Sequence, residues 1–140
     1  MTNNAAEEVV QLMNILLDSD KPELERVEAA HKLGEIRTPE AIDALVRGLS
    51  VDAPGVRYAV AEELAEIGEP ALDAVLRALQ LNVGAVHIYE SVHHILKRMT
   101  LYPKKQAIIQ PVLEALEGPA VDAAAPIAAA EARRKLREMA

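Results

Sequence analysis

The sequence of 140 residues contains no cysteine, no phenylalanine and no tryptophan, and it has only three tyrosines. Without cysteine there is no disulfide, no thiolate nucleophile and no cysteine-ligated zinc site. The shortage of aromatic side chains argues against a large pocket for a flat ligand. The hydrophobic fraction is nevertheless 51%, so the core must consist of alanine, leucine, valine and isoleucine. These side chains allow helices to approach each other closely.

Motifs of catalysis and targeting are also missing. There is no glycine-rich phosphate loop, no Gly-x-Ser-x-Gly sequence and no apolar run long enough to span a membrane. The first eight residues lack both the basic and the apolar region of a secretory signal. We therefore expect a cytoplasmic protein that is not an enzyme, binds no cofactor or metal, and does not associate with membranes.

The formal net charge is −7, and it is unevenly distributed. Residues 1–80 carry 16 acidic and 7 basic side chains, a net charge of −9, whereas residues 81–140 carry 6 acidic and 8 basic side chains, a net charge of +2. The first half would repel a polyanion, so nucleic acid is not an expected partner. The asymmetry is either an ordinary solvated surface or a charge axis that orients a partner protein.

The sequence contains an internal repeat of 30 to 31 residues. Residues 24–36 are echoed by residues 56–67, and residues 42–49 are echoed by residues 72–79. A repeat of this length, with helical patterning inside each unit, is typical of stacked helical hairpins. The residues that match at a spacing of 31 are Arg26 and Arg57, Ala30 and Ala61, Leu33 and Leu64, Glu35 and Glu66, Ile36 and Ile67, and Pro39 and Pro70.

Periodicity and capping signals predict eight helices and no strand. Asp20 and Glu23 form a capping-box pattern before the second helix, and Thr38 is the predicted N-cap of the third. Pro126 is expected in the first turn of the last helix, or else at a kink in it. The predicted helices end near residues 17, 36, 49, 67, 80, 99, 117 and 138, and the seventh is expected to begin at Gln106.

The repeat units resemble HEAT repeats of the phycobilisome-lyase-like family. The resemblance is carried by an acidic turn, a proline, Val-Arg, an alanine-rich stretch and a closing Ile-Gly, as in residues 52–68. It is strong over residues 20–80 and degenerate over residues 81–118, where Ile88 stands in place of the repeat's arginine. Residues 119–140 are expected to form a capping helix, and residues 1–140 a single domain.

The resemblance implies an all-α superhelix, a HEAT-like solenoid with a leading helix, three helical hairpins and a trailing capping helix. In such proteins the second helix of each hairpin lines the concave face. Members of the family are mostly binding scaffolds. A minority attach bilins to antenna proteins, one branch is a di-iron hydroxylase, and another excises damaged DNA bases.

The second helices carry a ladder of polar residues opposite their apolar face. Two interpretations stay open, because such residues either join neighbouring repeats or line a groove that binds an extended peptide or a helix. Small residues between the charges, including Ala44 and Gly48, are expected to keep that groove shallow. The ladder consists of Asp43, Arg47, Asp73, Arg77, Gln110 and Glu114.

Two further sets of residues are candidates for function. Tyr102, Lys104 and Lys105 lie in the link between the sixth and seventh helices and are a candidate contact patch for an acidic partner. The sixth helix has a histidine-rich face whose Glu-x-x-His spacing resembles part of a di-iron site, but no second such motif exists. That face is therefore expected to be solvated, and it consists of His87, Glu90, His93, His94 and Arg98.

Arg26 and Arg57 recur at the same place in two first helices, where we expect a structural role in an ion pair or in bonds to nearby carbonyls. The preferred interpretation of the whole chain is a monomeric, non-catalytic scaffold that binds another protein through its concave face. The alternative is a bilin lyase or bilin chaperone.

Overall fold

The computed structural model describes residues 4–140, and within that range the chain forms eight helices and no strand. This confirms the predicted all-α fold. The helices divide into two compact units, the first ending at Ile67 and the second spanning Gly68–Ala140. The helices are α1 (Asn4–Leu17), α2 (Glu23–Ile36), α3 (Pro39–Gly48), α4 (Pro54–Ile67), α5 (Glu69–Leu81), α6 (Val86–Arg98), α7 (Pro103–Glu117) and α8 (Val121–Met139).

The first unit has two layers of helices. α1 lies beside α3 in one layer and α2 lies beside α4 in the other, while each helix also packs against the next one in sequence. The interface is closed by side chains without solvent exposure, among them Leu16, Leu33, Leu45 and Leu64. Gly48 allows the close approach, since a Cβ atom at this position would lie 2.9 Å from Val60 Cγ2 and 3.0 Å from Leu16 Cδ2.

The second unit is arranged differently. Each of its helices packs against the next, and α8 returns to pack extensively along both α7 and α5. The side of α8 that enters this contact is buried only at Ala125, Ala129 and Ala132. Alanine side chains let α8 lie close to its neighbours, whose larger apolar residues fill the core. α8 is therefore an integral part of the second unit.

Local backbone signals explain several helix ends. The Thr38 hydroxyl accepts a bond of 3.1 Å from Ala41 N, which confirms it as the N-cap of α3. Arg37, directly after α2, adopts the left-handed conformation with φ of 60°, and its N–H donates to Leu33 O. Gly68 follows α4 with φ of 78° and ψ of −138°, a region that only glycine enters without strain.

Other predicted boundaries were wrong. The capping box at Asp20 does not form, because α2 begins after Pro22 without a side-chain cap, and Asp20 N instead donates to Asp18 Oδ1. α7 begins three residues before Gln106, at Pro103, whose fixed φ suits a first helical position. Pro126 lies in the second turn of α8 and not in its first, since that helix already begins at Val121.

The apolar face of the second helices contributes much of the core. Leu64, which matches Leu33 in the repeat, has no solvent exposure. Of the apolar residues opposite the polar ladder, Val46 and Leu116 are partly exposed. The buried ones are Ile42, Leu45, Leu49, Leu72, Val75, Leu76, Leu79, Ile109, Val112 and Leu113.

Candidate protein-interaction surfaces

On α3, the two predicted ladder residues are exposed. Asp43 lies in the first half of the helix, and Arg47 lies in its last turn, where a cation complements the negative end of the helix dipole. Arg47 Nη1 is 3.7 Å from Met13 Sδ of α1. The expectation that small residues form the floor of an open groove was wrong here, because Ala44 is 1% exposed and Gly48 is buried against Leu16 and Val60.

On α5, the Asp73 carboxylate is occupied by an arginine of α8. Arg133 Nε donates to Asp73 Oδ1 at 2.8 Å, and its Nη2 donates to Asp73 Oδ2 at 3.1 Å. The third nitrogen, Nη1, donates to Gln80 Oε1 at 2.6 Å. All three guanidinium nitrogens are thus used in one fixed, bidentate geometry. Asp73 thus joins two helices, but α8 lies outside the repeats, so this contact is not the expected link between neighbouring repeats. Arg77 is exposed on the same helix.

On α7, the predicted pair consists of two exposed residues one turn apart. Gln110 Nε2 donates to Glu114 Oε2 at 3.5 Å, a contact within one helix. Pairs of this kind stabilise a helix by only about 0.2–0.5 kcal/mol. The ladder residues therefore have three different environments: exposed on α3, bound by α8 at Asp73, and paired along the helix on α7.

The link between α6 and α7 presents the most exposed aromatic side chain among the described residues. Tyr102 is 84% exposed, and Lys104 beside it is exposed as well. Lys105 Nζ lies 2.8 Å from Glu69 Oε1, in the first turn of α5. Beside them is an open cleft of about 370 Å³, which is lined by Glu69, Thr100, Leu101, Tyr102, Pro103 and Lys105.

The profile of HEAT repeats matches residues 9–86, more than half of the chain. The chain belongs to the HEAT-repeat family. The matched range covers α1 to α5 and stops where the internal repeat becomes degenerate. No curated protein and no solved structure matches the chain significantly.

The repeated arginines show how these HEAT repeats are joined internally. Arg26 of α2 is 6% exposed, and its Nε donates to Leu16 O near the end of α1 at 2.9 Å. Arg57 of α4 donates through Nη1 to Val51 O, after the end of α3, at 2.7 Å. In both repeats, the first-helix arginine thus binds a carbonyl at or just beyond the end of the preceding helix. This confirms a structural role, with bonds to carbonyls.

The predicted histidine face is exposed at His87 and Glu90, and His93 is held by a contact from another helix. His93 Nε2 lies 2.8 Å from Glu117 Oε2 of α7, and this hydrogen bond lowers the pKa of the Glu117 carboxyl below its usual value. In residues 4–140, no group of three or more histidine, aspartate or glutamate side chains is arranged to hold a metal ion. Over the same residues, no helix has the length and hydrophobicity needed to cross a membrane.

The sequence patterns did not single out His31, which the structure places between two carboxylates. Its Nδ1 lies 3.1 Å from Glu63 Oε2 on α4, and its Nε2 lies 3.7 Å from Glu35 Oε2 on its own helix. The hydrogen bond to Glu63, followed by the charges of Glu63 and Glu35, raises the pKa of His31 above its usual 6.5. The only signal for this contact is the helical repeat, which places α2 and α4 side by side.

We expect the contribution of His31 to stability to depend on pH. Since its folded-state pKa is raised, the contribution is fully present below pH 6.5 and is lost as the pH rises through the folded pKa. The urea midpoint of His31→Ala should therefore lie below that of the wild type at pH 5.5. The difference between the two midpoints should be smaller at pH 8.5. An equal difference at the two pH values would show that the ion pairs contribute nothing.

Proposed function

We propose that the protein is a non-catalytic scaffold that binds a segment of another protein through the exposed charges of its second helices. Membership of the HEAT-repeat family supports this proposal, because HEAT repeats commonly mediate protein interactions. The main structural support for the proposal is the exposure of Asp43, Arg47 and Arg77. Each lies on a helix whose opposite side is anchored in the core, so the charges are presented on a rigid support.

The position of α8 refines the proposal. Asp73 is bound by Arg133, so a partner that used this carboxylate would have to displace a bidentate arginine. Arg77 of the same helix is exposed, so a partner can bind it without displacing Arg133. We therefore assign partner binding on α5 to Arg77, and on α3 to Asp43 and Arg47.

The test begins with the proteins that the wild type captures from its source organism, identified by mass spectrometry. Arg47→Glu combined with Arg77→Glu should weaken binding of the captured partner by about tenfold or more, since each substitution reverses the sign of a charge assigned to partner binding on its own helix. Higher salt should also weaken the wild-type complex. Binding is measured by titration calorimetry, and circular dichroism and thermal melts confirm that the variant is folded.

A variant with the same change in charge serves as the control. Lys32 of α2 and Lys135 of α8 are exposed and lie outside the ladder, so Lys32→Glu with Lys135→Glu should leave binding nearly unchanged. Equal loss of affinity in both variants would indicate a non-specific charge effect. Unfolding of the Arg47 and Arg77 variant would instead show that these arginines are structural, and the proposal would be wrong.

The phycobilisome-lyase-like subtype, with a bilin lyase or bilin chaperone function, is a second candidate. Its support is the repeat pattern of residues 52–68, in which a proline, Val-Arg and a closing Ile-Gly recur as in that family. Addition of a bilin to the purified protein tests it directly. A shift in the visible absorbance that saturates with protein concentration would favour this candidate over the scaffold.

A further inference from the structure

The second unit contains a continuous segment without any acidic residue. Residues 91–113 include no aspartate or glutamate, although the whole chain has 22 of them and a net charge of −7. The cations of this segment are Lys97 and Arg98 in the last turn of α6 and Lys104 and Lys105 in the first turn of α7. The loop between the two helices therefore lies between two pairs of cations in the chain, and we call this loop together with Lys104 and Lys105 the basic edge.

An exposed apolar surface lies in the middle of the basic edge. Tyr102 is 84% exposed, and it lines the cleft of about 370 Å³ together with Leu101, Pro103 and the aliphatic part of Lys105. Tyrosine is among the side chains that contribute most to binding energy at protein interfaces. Pro103, as the first residue of α7, fixes the backbone there, so little conformational entropy is lost when a ligand binds.

A carboxylate of the chain lies at the cleft beside Lys105. Glu69 Oε1 lies 2.8 Å from Lys105 Nζ, with the glutamate side chain 55% exposed and the lysine 26% exposed. This contact shows how a carboxylate is held against the cleft. Because the glutamate is largely in solvent, the pair is weak, and a carboxylate of another molecule can compete for the lysine.

We propose that the basic edge is a docking surface for an acidic segment of a partner protein, in which carboxylates alternate with apolar side chains. The carboxylates bind Lys104 and Lys105, replacing Glu69 at the latter, and an apolar side chain packs in the cleft against Tyr102. This inference rests on the proposed scaffold function and specifies the chemistry of a partner. It concerns a surface separate from the second-helix charges of Arg47 and Arg77.

An acidic protein segment fits better than a nucleic acid. Leu101, Tyr102 and Pro103 give the cleft an apolar part that suits an aliphatic side chain, whereas single-stranded nucleic acids stack on several aromatic side chains along a basic groove. The described residues offer only one exposed aromatic side chain at this edge. The net charge of −7 also opposes a long polyanion, while a short acidic segment interacts mainly with the local field.

The experiment uses the full chain labelled with ¹⁵N and three probes. The first is a short peptide in which glutamate alternates with leucine, the second is the same peptide with glutamine in place of glutamate, and the third is a thymidine oligonucleotide of the same charge as the first. The acidic peptide should shift the amide signals of residues 97–105 and of Glu69. A higher salt concentration should weaken the binding of this peptide. The glutamine peptide and the oligonucleotide should bind at least about tenfold more weakly.

Substitutions at the edge should change the affinity in opposite directions. Lys104→Glu with Lys105→Glu should raise the Kd of the acidic peptide by about tenfold or more, and Tyr102→Ala should also raise it. Glu69→Gln should lower the Kd by about two- to fivefold, because it removes the competing carboxylate. A purely structural ion pair between Lys105 and Glu69 would not produce tighter binding in that variant.

Lys135→Glu with Arg137→Glu is the matched control, since both residues are exposed cations of α8 and the change in charge is the same. It should leave the Kd within about twofold of the wild type. Signal changes centred on α8, unchanged affinity in the Lys104 and Lys105 variant, or tighter binding of the oligonucleotide would each overturn the inference. None of these results would contradict the scaffold function, which is tested separately with the Arg47 and Arg77 variant.

Discussion

Replacement of Leu64 by alanine is expected to lower the free energy of unfolding by about 2–5 kcal/mol. The Leu64 side chain has no solvent exposure and lies on α4 against α2, where Leu33 of the matching repeat is equally buried. The substitution removes apolar atoms from a close-packed interface and leaves a cavity that the surrounding helices fill only partly. Urea unfolding followed by circular dichroism measures the change.

Leu24→Ala is the control for this experiment. Leu24 lies in the first turn of α2 and is 69% exposed, so the same chemical change there should lower stability by less than about 0.5 kcal/mol. If Leu64→Ala also changed stability by less than about 0.5 kcal/mol, the assignment of the buried side of α4 would be incorrect. Equal losses in the two variants would show that burial does not set the effect, and helix propensity could not explain them because alanine is a better helix former than leucine.

The burial of Leu64 could be predicted because it depends on a repeat. Residues 31 apart in the first unit occupy equivalent places on α2 and α4, so one apolar pattern predicts both core positions. The same logic predicts a structural role for Arg26 and Arg57, and their bonds to carbonyls confirm it. Repeated local patterns are informative here because each repeat packs mainly against its neighbours.

Contacts that do not repeat could not be predicted in this way. α8 lies outside the repeats, and it packs along α5 and α7 through a side whose buried residues are all alanines. In an alanine-rich helix, the sequence does not show which alanines form the packed side. Local sequence rules offer Arg133 only the role of a cation near a helix C-terminus, whereas it binds Asp73, 60 residues earlier in the chain. Pro111 and Pro126 both lie inside helices, which local rules for proline disfavour.

The candidate site was predictable only in part, for the same reason. Helical periodicity placed Asp43 and Arg47 on the exposed side of α3, as observed. It could not distinguish an open groove from a second packing surface: Gly48 lies against Leu16 of α1 and Val60 of α4, and Ala44 is buried as well. The exposure of Tyr102 was consistent with its position between two helices, but its cleft with Glu69 required the three-dimensional structure.

The repeated arginines give the second large expected effect. α1 ends at Leu17 and has no basic residue in its last turn, so the Leu16 carbonyl is one of the unpaired groups at a helix end. Arg26, 6% exposed, donates to this carbonyl at 2.9 Å and places a positive charge at the negative end of the helix dipole. Its loss would leave a carbonyl without its charged donor in the interior of the unit.

Arg26→Met is therefore expected to lower the free energy of unfolding by about 1.5–3 kcal/mol, because methionine keeps most of the apolar stem but cannot donate. Arg57→Met is the control supplied by the second repeat. Arg57 is only partly buried and its partner, the Val51 carbonyl, lies beyond the end of α3, so water can replace the guanidinium and the loss should be about 0.5–1.5 kcal/mol. Urea midpoints of the two variants compare these values directly. Equal losses, or a larger loss for Arg57→Met, would show that burial does not set the strength of the repeated arginine bond.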